Sequence, residues 1–352
     1  MQQIIAVAMS GGVDSSVTAA LLQQQGYTVI GITMQIMPNA TAPIEAAAKV
    51  CADLNIRHYT IDLTERFQNT VINYFIGEYE AGRTPNPCVI CNENIKFPLL
   101  VKKALELGAD KLATGHYAQV VLNKANGLYQ ILKGADHKKD QSYFLYRLTD
   151  ATLRHVLMPL GSITKQRTRQ IAAELGLCVA EKADSQEICF IPENNYCRFI
   201  TDRRPDLVKQ GEFRASADNR LLGTHSGCIG FTIGQRKGLG IALGEKAFVT
   251  QIDPSSNTVY IGSNDEITAH TVIIKDLICN GLHIDELPAH HNIKIRSTHQ
   301  ESGARIEMIP GSCAKLQLTF EQPQRAMTPG QAAVIYDGDI VIGGGTIENT
   351  FI

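Results

Sequence analysis

Ile4-Ile5-Ala6-Val7-Ala8-Met9-Ser10-Gly11-Gly12-Val13-Asp14-Ser15-Ser16 is the stretch that decides the fold. The apolar run Ile4 to Met9 reads as a buried strand; two glycines then turn the backbone sharply, and a helix begins at the serines. Such a corner aims several backbone N–H groups and the positive end of a helix dipole at one spot, which makes it an anion cradle. It lacks the lysine of Gly-x-x-x-x-Gly-Lys-Ser/Thr, so ordinary phosphoryl transfer is not the first reading. A plain strand–turn–helix corner is the bland alternative. Small hydroxyls, glycines and an acid at these offsets argue against it.

Outward from this corner the chain alternates strand and helix. Helices are expected over 15–25, stopped by Gly26, and over 44–54, 65–80 and 94–107; strands are expected over 27–34, 57–61 and 111–114. This alternation predicts a parallel sheet, with ligands at the carboxyl ends of its strands, where Gly11-Gly12 and Gly115-His116 fall. Beyond about Asp202 short alternating segments separated by Gly, Pro, Asn and Asp take over, and the sequence reads as a small β-rich domain followed by a barrel from about Ile267. The expected division is 1–202, 203–266 and 267–352.

At 352 residues, with 44% hydrophobic and 19% charged residues, the chain can bury sizeable cores. No apolar run approaches the ~20 residues that span a bilayer, and Met1-Gln2-Gln3-Ile4 has no basic signal region. The net charge of −2 means that a nucleic-acid partner must be held by local basic patches. Nine cysteines without a secretory signal point to a reducing, cytoplasmic setting. Cys51, at helical spacing among alanines, reads as a small core residue.

Two further segments carry chemistry. Gly82-Arg83-Thr84-Pro85-Asn86-Pro87-Cys88-Val89-Ile90-Cys91-Asn92 is a proline-stiffened loop that puts Cys91 near a helix N-terminus, where the dipole favours a thiolate. A lone C-x-x-C also reads as a redox motif or half a zinc site, but a second one is absent. In Lys182-Ala183-Asp184-Ser185-Gln186-Glu187-Ile188-Cys189-Phe190-Ile191, Cys189 by itself reads as a structural cysteine.

The first loop resembles the PP-loop of ATP pyrophosphatases, which grips pyrophosphate while AMP is transferred. Taken with the two cysteine segments, Ala113 to Ala118, Lys139 to Leu145, Phe231 to Gly240 and Pro329-Gly330-Gln331, the whole chain resembles the bacterial tRNA-specific 2-thiouridylases. The resemblance implies an α/β fold: an N-terminal parallel-sheet PP-loop domain (adenine nucleotide alpha hydrolase-like), a small β-rich central domain and a C-terminal β-barrel. It implies that ATP, with Mg²⁺, adenylates the C2 oxygen of the wobble uridine and that sulfur then replaces it, releasing AMP and pyrophosphate. Ala8, Met9, Ser10, Gly11, Gly12, Val13, Asp14, Ser15, Met34 and Gly115 match nucleotide-binding positions. Cys91 matches the nucleophile and Cys189 the persulfide carrier. Either Cys91 attacks the persulfide, releasing sulfide and leaving a Cys91–Cys189 disulfide, or it attacks the activated base. Asn86, Pro87, Cys88, His116, Lys139, Asp140, Gln141, Arg296, Ser297 and Gln331 match positions that meet tRNA or its target base, which is extruded into a pocket. The implied partners are tRNA, with acceptors for Lys, Glu and Gln, and a sulfur-donor protein.

One position departs from the pattern: Cys88 stands where many members carry an Asp read as a general acid/base. A thiol has a reference pKa of ~8.5 against ~3.9 for Asp. Cys88, Cys91 and Cys189 could also ligate an iron–sulfur cluster. His137-Lys138-Lys139, Arg198 with Arg203 and Arg204, and Arg236-Lys237 are the candidate basic patches. The rival readings are an amide-forming adenylating synthetase, which has no use for Cys91 and Cys189, and a non-catalytic binding protein, which needs no such set.

Overall fold

The computed structural model describes residues 2–182, 188–241, 246–281, 289–312 and 314–351. The chain forms two compact units interleaved in sequence. One comprises Met1–Ile72, Cys88–Gln186 and Asp337–Ile342; the other comprises Asn73–Pro87, Glu187–Tyr336 and Gly343–Ile352.

In the first unit β1 (Ile4–Ala8) leads through the glycine corner into α1 (Val13–Gln24), then β2 (Thr28–Gln35), α2 (Ala42–Asp53) and β3 (Arg57–Asp62). Gly26, at φ +89°, follows α1 and takes the left-handed conformation that ends a helix cheaply. β4 (Lys111–Ala113), the hairpin β5 (Ala118–Asn123) and β6 (Leu128–Lys133), and the short β7 (Val156–Leu157) follow. Five strands form a sheet in the order β3-β2-β1-β4-β7, and each of its pairings is parallel. Strand order reverses between β1 and β4, so the crevice at their carboxyl ends is the topological switch point where ligands of such sheets bind. The alternation of strands and helices predicted this sheet; the ends of β1 to β4 and of α1 and α2 fall within two residues of expectation.

The core beneath the corner packs Ile5, Val7, Met9, Val13 and Val17 with Ala47, Val50 and Cys51. Cys51 is wholly buried, and burial pushes its thiol up to about 11. Its Sγ fills the space beside Gly31, where a Cβ would lie only 2.6 Å away. It is a packing residue, as its spacing suggested.

Two further β structures follow. β8 (Gly211–Ala215), β9 (Leu221–His225), β10 (Phe248–Asp253) and β11 (Thr258–Gly262) form a sheet in the order β10-β11-β8-β9 around Phe213, Val249 and Val259. β12 (Thr268–Cys279), β13 (His290–Lys294), β14 (Ser302–Met308), β15 (Lys315–Arg325), β16 (Ala332–Asp337) and β17 (Ile340–Phe351) run in the order β12-β15-β14-β13-β16-β17, and β12 pairs with β17 to close a barrel. Closure removes the exposed strand edges that an open sheet of this length would leave.

Candidate active site

The corner after β1 is fastened on both sides. Met9 N donates to Ile32 O (2.8 Å), and Thr33 Oγ1 donates to Met9 O (2.9 Å). Gly11 has φ +68°, and a Cβ there would sit 2.7 Å from the Ala46 Cβ, so both backbone and space require glycine. Gly12, extended at φ −105° and ψ 167°, is the N-cap of α1, and no side chain caps the helix. Its first-turn N–H groups therefore lack capping side-chain acceptors, which is the arrangement that suits an anion. Ser15 Oγ accepts from Ser10 N at 3.2 Å and donates to Gly12 O at 3.2 Å, while Ser16 Oγ donates to Gly12 O at 2.8 Å. Gly115, after β4, closes the crevice: a Cβ there would lie 2.9 Å from the Asp14 carbonyl carbon and 3.0 Å from Ser15 N. Ala8, Met9 and Met34 lie on the two strands or their ends beside this corner.

Charge at the corner comes from residues that the sequence reading passed over. Lys165, 7% exposed, places Nζ at 2.6 and 2.8 Å from the two Asp14 carboxylate oxygens. Tyr117 donates its hydroxyl to Asp14 Oδ1 at 2.8 Å, and its Oη lies 2.9 Å from Thr168 Oγ1. Lys182 donates Nζ to Gly11 O at 2.8 Å. Two lysines from far along the chain thus reach the corner. A signal for Lys165 existed. It opens the helix Lys165–Glu174 behind the N-cap Thr164, a position where the helix dipole disfavours a cation unless a carboxylate holds it.

The helix bearing the thiols starts earlier than expected. Residues Pro87–Cys91 already form an α-turn, Asn92–Lys96 a π-turn, and Phe97–Glu106 the α-helix proper. Proline at the helix start explains this, because its fixed φ suits the first turn and its missing N–H is not needed there. The expectation that Cys91 sits at the N-terminus is therefore corrected. Cys88, exposed, occupies the first turn, whereas Cys91, buried, lies at the seam with the π-turn. π-turns of this kind are frequent at functional sites.

β4 ties this helix to the anion corner. Gly115 abuts Asp14 and Ser15, and the next residue, His116, lays its ring 5.5 Å from that of Phe97, on the Cys91 helix. His116 Nδ1 lies 2.8 Å from Thr114 Oγ1. Burial, with a smaller contribution from Lys96, holds His116 well below the ordinary histidine pKa, so its ring is neutral at pH 7.

Other predicted contacts are engaged internally. Asp140 Oδ1 accepts from Gly134 N (2.9 Å) and Ser142 N (3.1 Å), and Gln141 Oε1 accepts from Tyr117 N (3.0 Å). Lys139 beside them is half-buried. In the second unit Arg296 Nη2 donates to Ala326 O at 3.0 Å, and Gln331 Nε2 donates to Thr84 O and Pro85 O at 2.9 and 3.1 Å. Gln331 thus fastens the loop that carries Asn86 and Pro87, and Ser297 follows Arg296 half-buried. Cys189 is exposed, which corrects its reading as a buried structural cysteine. Ala183 to Glu187, just before it, lie outside the described residues. Among the described residues no group of three or more His, Cys, Asp or Glu could hold a metal ion. Cys88 and Cys91 are two of the three thiols of the iron–sulfur set expected with Cys189. Among the described residues no helix is long and apolar enough to cross a membrane.

A parallel sheet with a glycine anion corner at its switch point defines a nucleotide-binding domain of the PP-loop class. Family models agree: residues 3–193 match the tRNA methyl transferase HUP domain, 198–263 the PRC-barrel domain of the same family, and 269–347 an aminomethyltransferase beta-barrel domain. The chain is 47% identical to a tRNA-specific 2-thiouridylase MnmA of Halothermothrix orenii, covering 99% of both chains. It is 46% identical to the proteins of that name from Carboxydothermus hydrogenoformans (98% of this chain, 97% of the relative) and Lachnoclostridium phytofermentans (97% and 99%). The chain belongs to the tRNA-specific 2-thiouridylase family.

Proposed function

We propose that this protein forms 2-thiouridine at the wobble position of tRNA, with Lys, Glu and Gln acceptors, in two stages: ATP-dependent adenylation of the uridine C2 oxygen, then its replacement by sulfur. The observation that carries the reading is that β4 links an anion corner to a thiol-bearing helix, through Gly115 on Asp14 and His116 on Phe97. A methyl transfer would use neither element. An amide-forming synthetase would use only the first.

In the first stage the N–H groups of Gly11 to Ser15 receive the departing pyrophosphate, and the Lys165 and Lys182 ammonium groups balance its charge. Preorganised donors of this kind stabilise charge as it develops. Asp14 is the carboxylate that would share a Mg²⁺ carried in by the triphosphate, and its oxygens, now on Lys165, fit that role. When bound, the ion neutralises the pyrophosphate.

In the second stage Cys189 carries a sulfane sulfur received from a sulfur-donor protein. The Cys91 thiolate attacks Cys189 Sγ, forming a Cys91–Cys189 disulfide and releasing hydrosulfide. That hydrosulfide adds to the activated C2, and AMP leaves with the former oxygen. A cellular dithiol then reduces the disulfide. Free thiols among the described residues support a cytoplasmic setting.

The test is mass spectrometry of tRNA nucleosides after reaction with ATP, Mg²⁺ and a persulfide donor. It should show 2-thiouridine with matching AMP and pyrophosphate. Cys91→Ser and Cys189→Ser should abolish thiolation while tRNA binding persists. Thiolation that survives in either variant would remove that cysteine from the mechanism, and thiolation without AMP release would remove the adenylation stage.

A further inference from the structure

Two groups of cations in the second unit contrast. In the first, charge is already balanced. Arg204 places Nη1 and Nη2 at 3.0 and 2.9 Å from the Glu80 carboxylate and reaches Asp206 as well. Arg198 lies 3.7 Å from Glu193 and 3.8 Å from Asp202, and Arg214 lies 2.7 Å from Glu212.

The second group surrounds a wide cavity of about 780 Å³, bordered by Arg236, Lys237, Lys246 and Arg325 together with Phe248 and Asn264. Among the described residues no acidic one borders it. The four cations are exposed, and none of them is in an ion pair among the described residues. This is a local positive field on a chain whose net charge is −2.

The cavity is also built. Gly234, at φ +85°, would place a Cβ 2.5 Å from the Ala326 Cβ, so only glycine lets its loop lie against the end of β15. Gly234 N donates to Val249 O (2.8 Å), and Val249 N donates to Gln235 O (2.9 Å). Arg296 holds the base of the loop through Ile233 O and Ala326 O (3.4 and 3.0 Å). The loop is therefore pinned at its root while Arg236 and Lys237 stand clear. Arg325 lies over the Phe248 ring at 4.5 Å and donates Nε to Asn264 Oδ1 at 2.9 Å, which fixes the plane of its guanidinium. Beside it His299 is held below the ordinary histidine range by burial and then by Arg296, Arg325 and Lys294.

We infer that this cavity is a binding site for the RNA phosphodiester backbone, seated by Arg236, Lys237, Lys246 and Arg325 and lying outside the adenylation and thiol machinery. The inference rests on tRNA being the substrate. Four cations set around a wide mouth suit several phosphates of one strand better than a single enclosed anion, and such contacts give affinity without base specificity.

The test compares tRNA affinity from 50 to 200 mM salt for the full chain and for the triple variant Arg236→Gln/Lys237→Gln/Lys246→Gln; Arg325 is kept because it packs on Phe248. Each lost phosphate contact should reduce the slope of log K against log salt by about 0.7–0.9. The triple variant should therefore lose a slope of about 2–3, which narrows its affinity gap to the parent by on the order of 20- to 60-fold across that range. Its rate of ATP–pyrophosphate exchange at saturating tRNA should be unchanged, and Arg198→Gln, whose charge is already balanced, should keep the parental slope. A parental slope in the triple variant, or an equal loss in Arg198→Gln, overturns the site while the thiolation reading stands. Loss of inorganic pyrophosphate binding with an unchanged tRNA slope also overturns it, as a small-anion site. A parent that neither binds nor thiolates tRNA overturns both.

Discussion

Removing either partner of the Asp14–Lys165 pair should destabilise the first unit, and by unequal amounts. The Lys165 side chain is 9% exposed and that of Asp14 34%. In Asp14→Ala a buried ammonium loses the carboxylate that takes it at 2.6 and 2.8 Å. Breaking a fully buried pair costs 3–5 kcal/mol, an exposed one ~0–1, and the deep burial of the lysine puts this loss at about 3 kcal/mol. In Lys165→Met the carboxylate keeps the Tyr117 hydroxyl and can be hydrated, so the loss is about 1.5 kcal/mol. The double variant removes the pair from both sides at once, so its loss should be smaller than the sum of the single losses. With two compact units a global melt is a poor gauge, but Cys51 lies wholly buried in the core beneath this corner. The rate at which a thiol reagent modifies Cys51 under native conditions reports opening of that core. It should rise about 150-fold in Asp14→Ala and about 10-fold in Lys165→Met, at 1.36 kcal/mol per tenfold. Equal rates in the two single variants, or a faster rate in Lys165→Met, would refute the reasoning.

Gly115→Ala puts a Cβ 2.9 Å from the Asp14 carbonyl carbon, so it should raise KM for ATP at least tenfold while tRNA affinity stays within twofold; steady-state kinetics and a binding titration check this. Gly11→Ala meets the Ala46 Cβ at 2.7 Å with φ at +68°, and it should remove ATP–pyrophosphate exchange and accelerate Cys51 labelling. The pKa of His116 is depressed by burial and secondarily by Lys96. The unfolded chain therefore binds the proton more readily, and this stability is present above the unfolded value of ~6.5 and is lost as pH falls below it. A Cys51 labelling rate that climbs between pH 6.5 and 5, after correction for thiolate content, should climb less in His116→Asn; equal pH dependence in the two proteins would count against burial of the ring.

The corner, its helix, the parallel sheet and the succession of β-rich regions could all be read from the sequence, because each rests on local rules. Apolar runs mark buried strands, a glycine pair permits the φ of +68° at Gly11, and turn residues punctuate short strands. The start of the thiol helix was misread because Pro85, Asn86 and Pro87 signal a loop as strongly as a helix start. Pro87 proved to be the start, which shifts Cys88 into the first turn. The patches of charge were legible only as patches: Arg198, Arg203 and Arg204 look as basic in sequence as Arg236 and Lys237. Glu80, 124 residues away, is what neutralises Arg204.

By itself, then, the sequence determined that an anion corner follows the first strand and that two cysteine segments accompany it, since backbone stereochemistry and hydrophobic period act over a few residues. Tertiary structure decided which side chains serve the corner. Lys165 reaches Asp14 across 151 residues and Lys182 reaches Gly11 across 171. Nothing local encodes such pairings, because the burial that makes a lysine seek a carboxylate exists only once the sheet and its helices have packed.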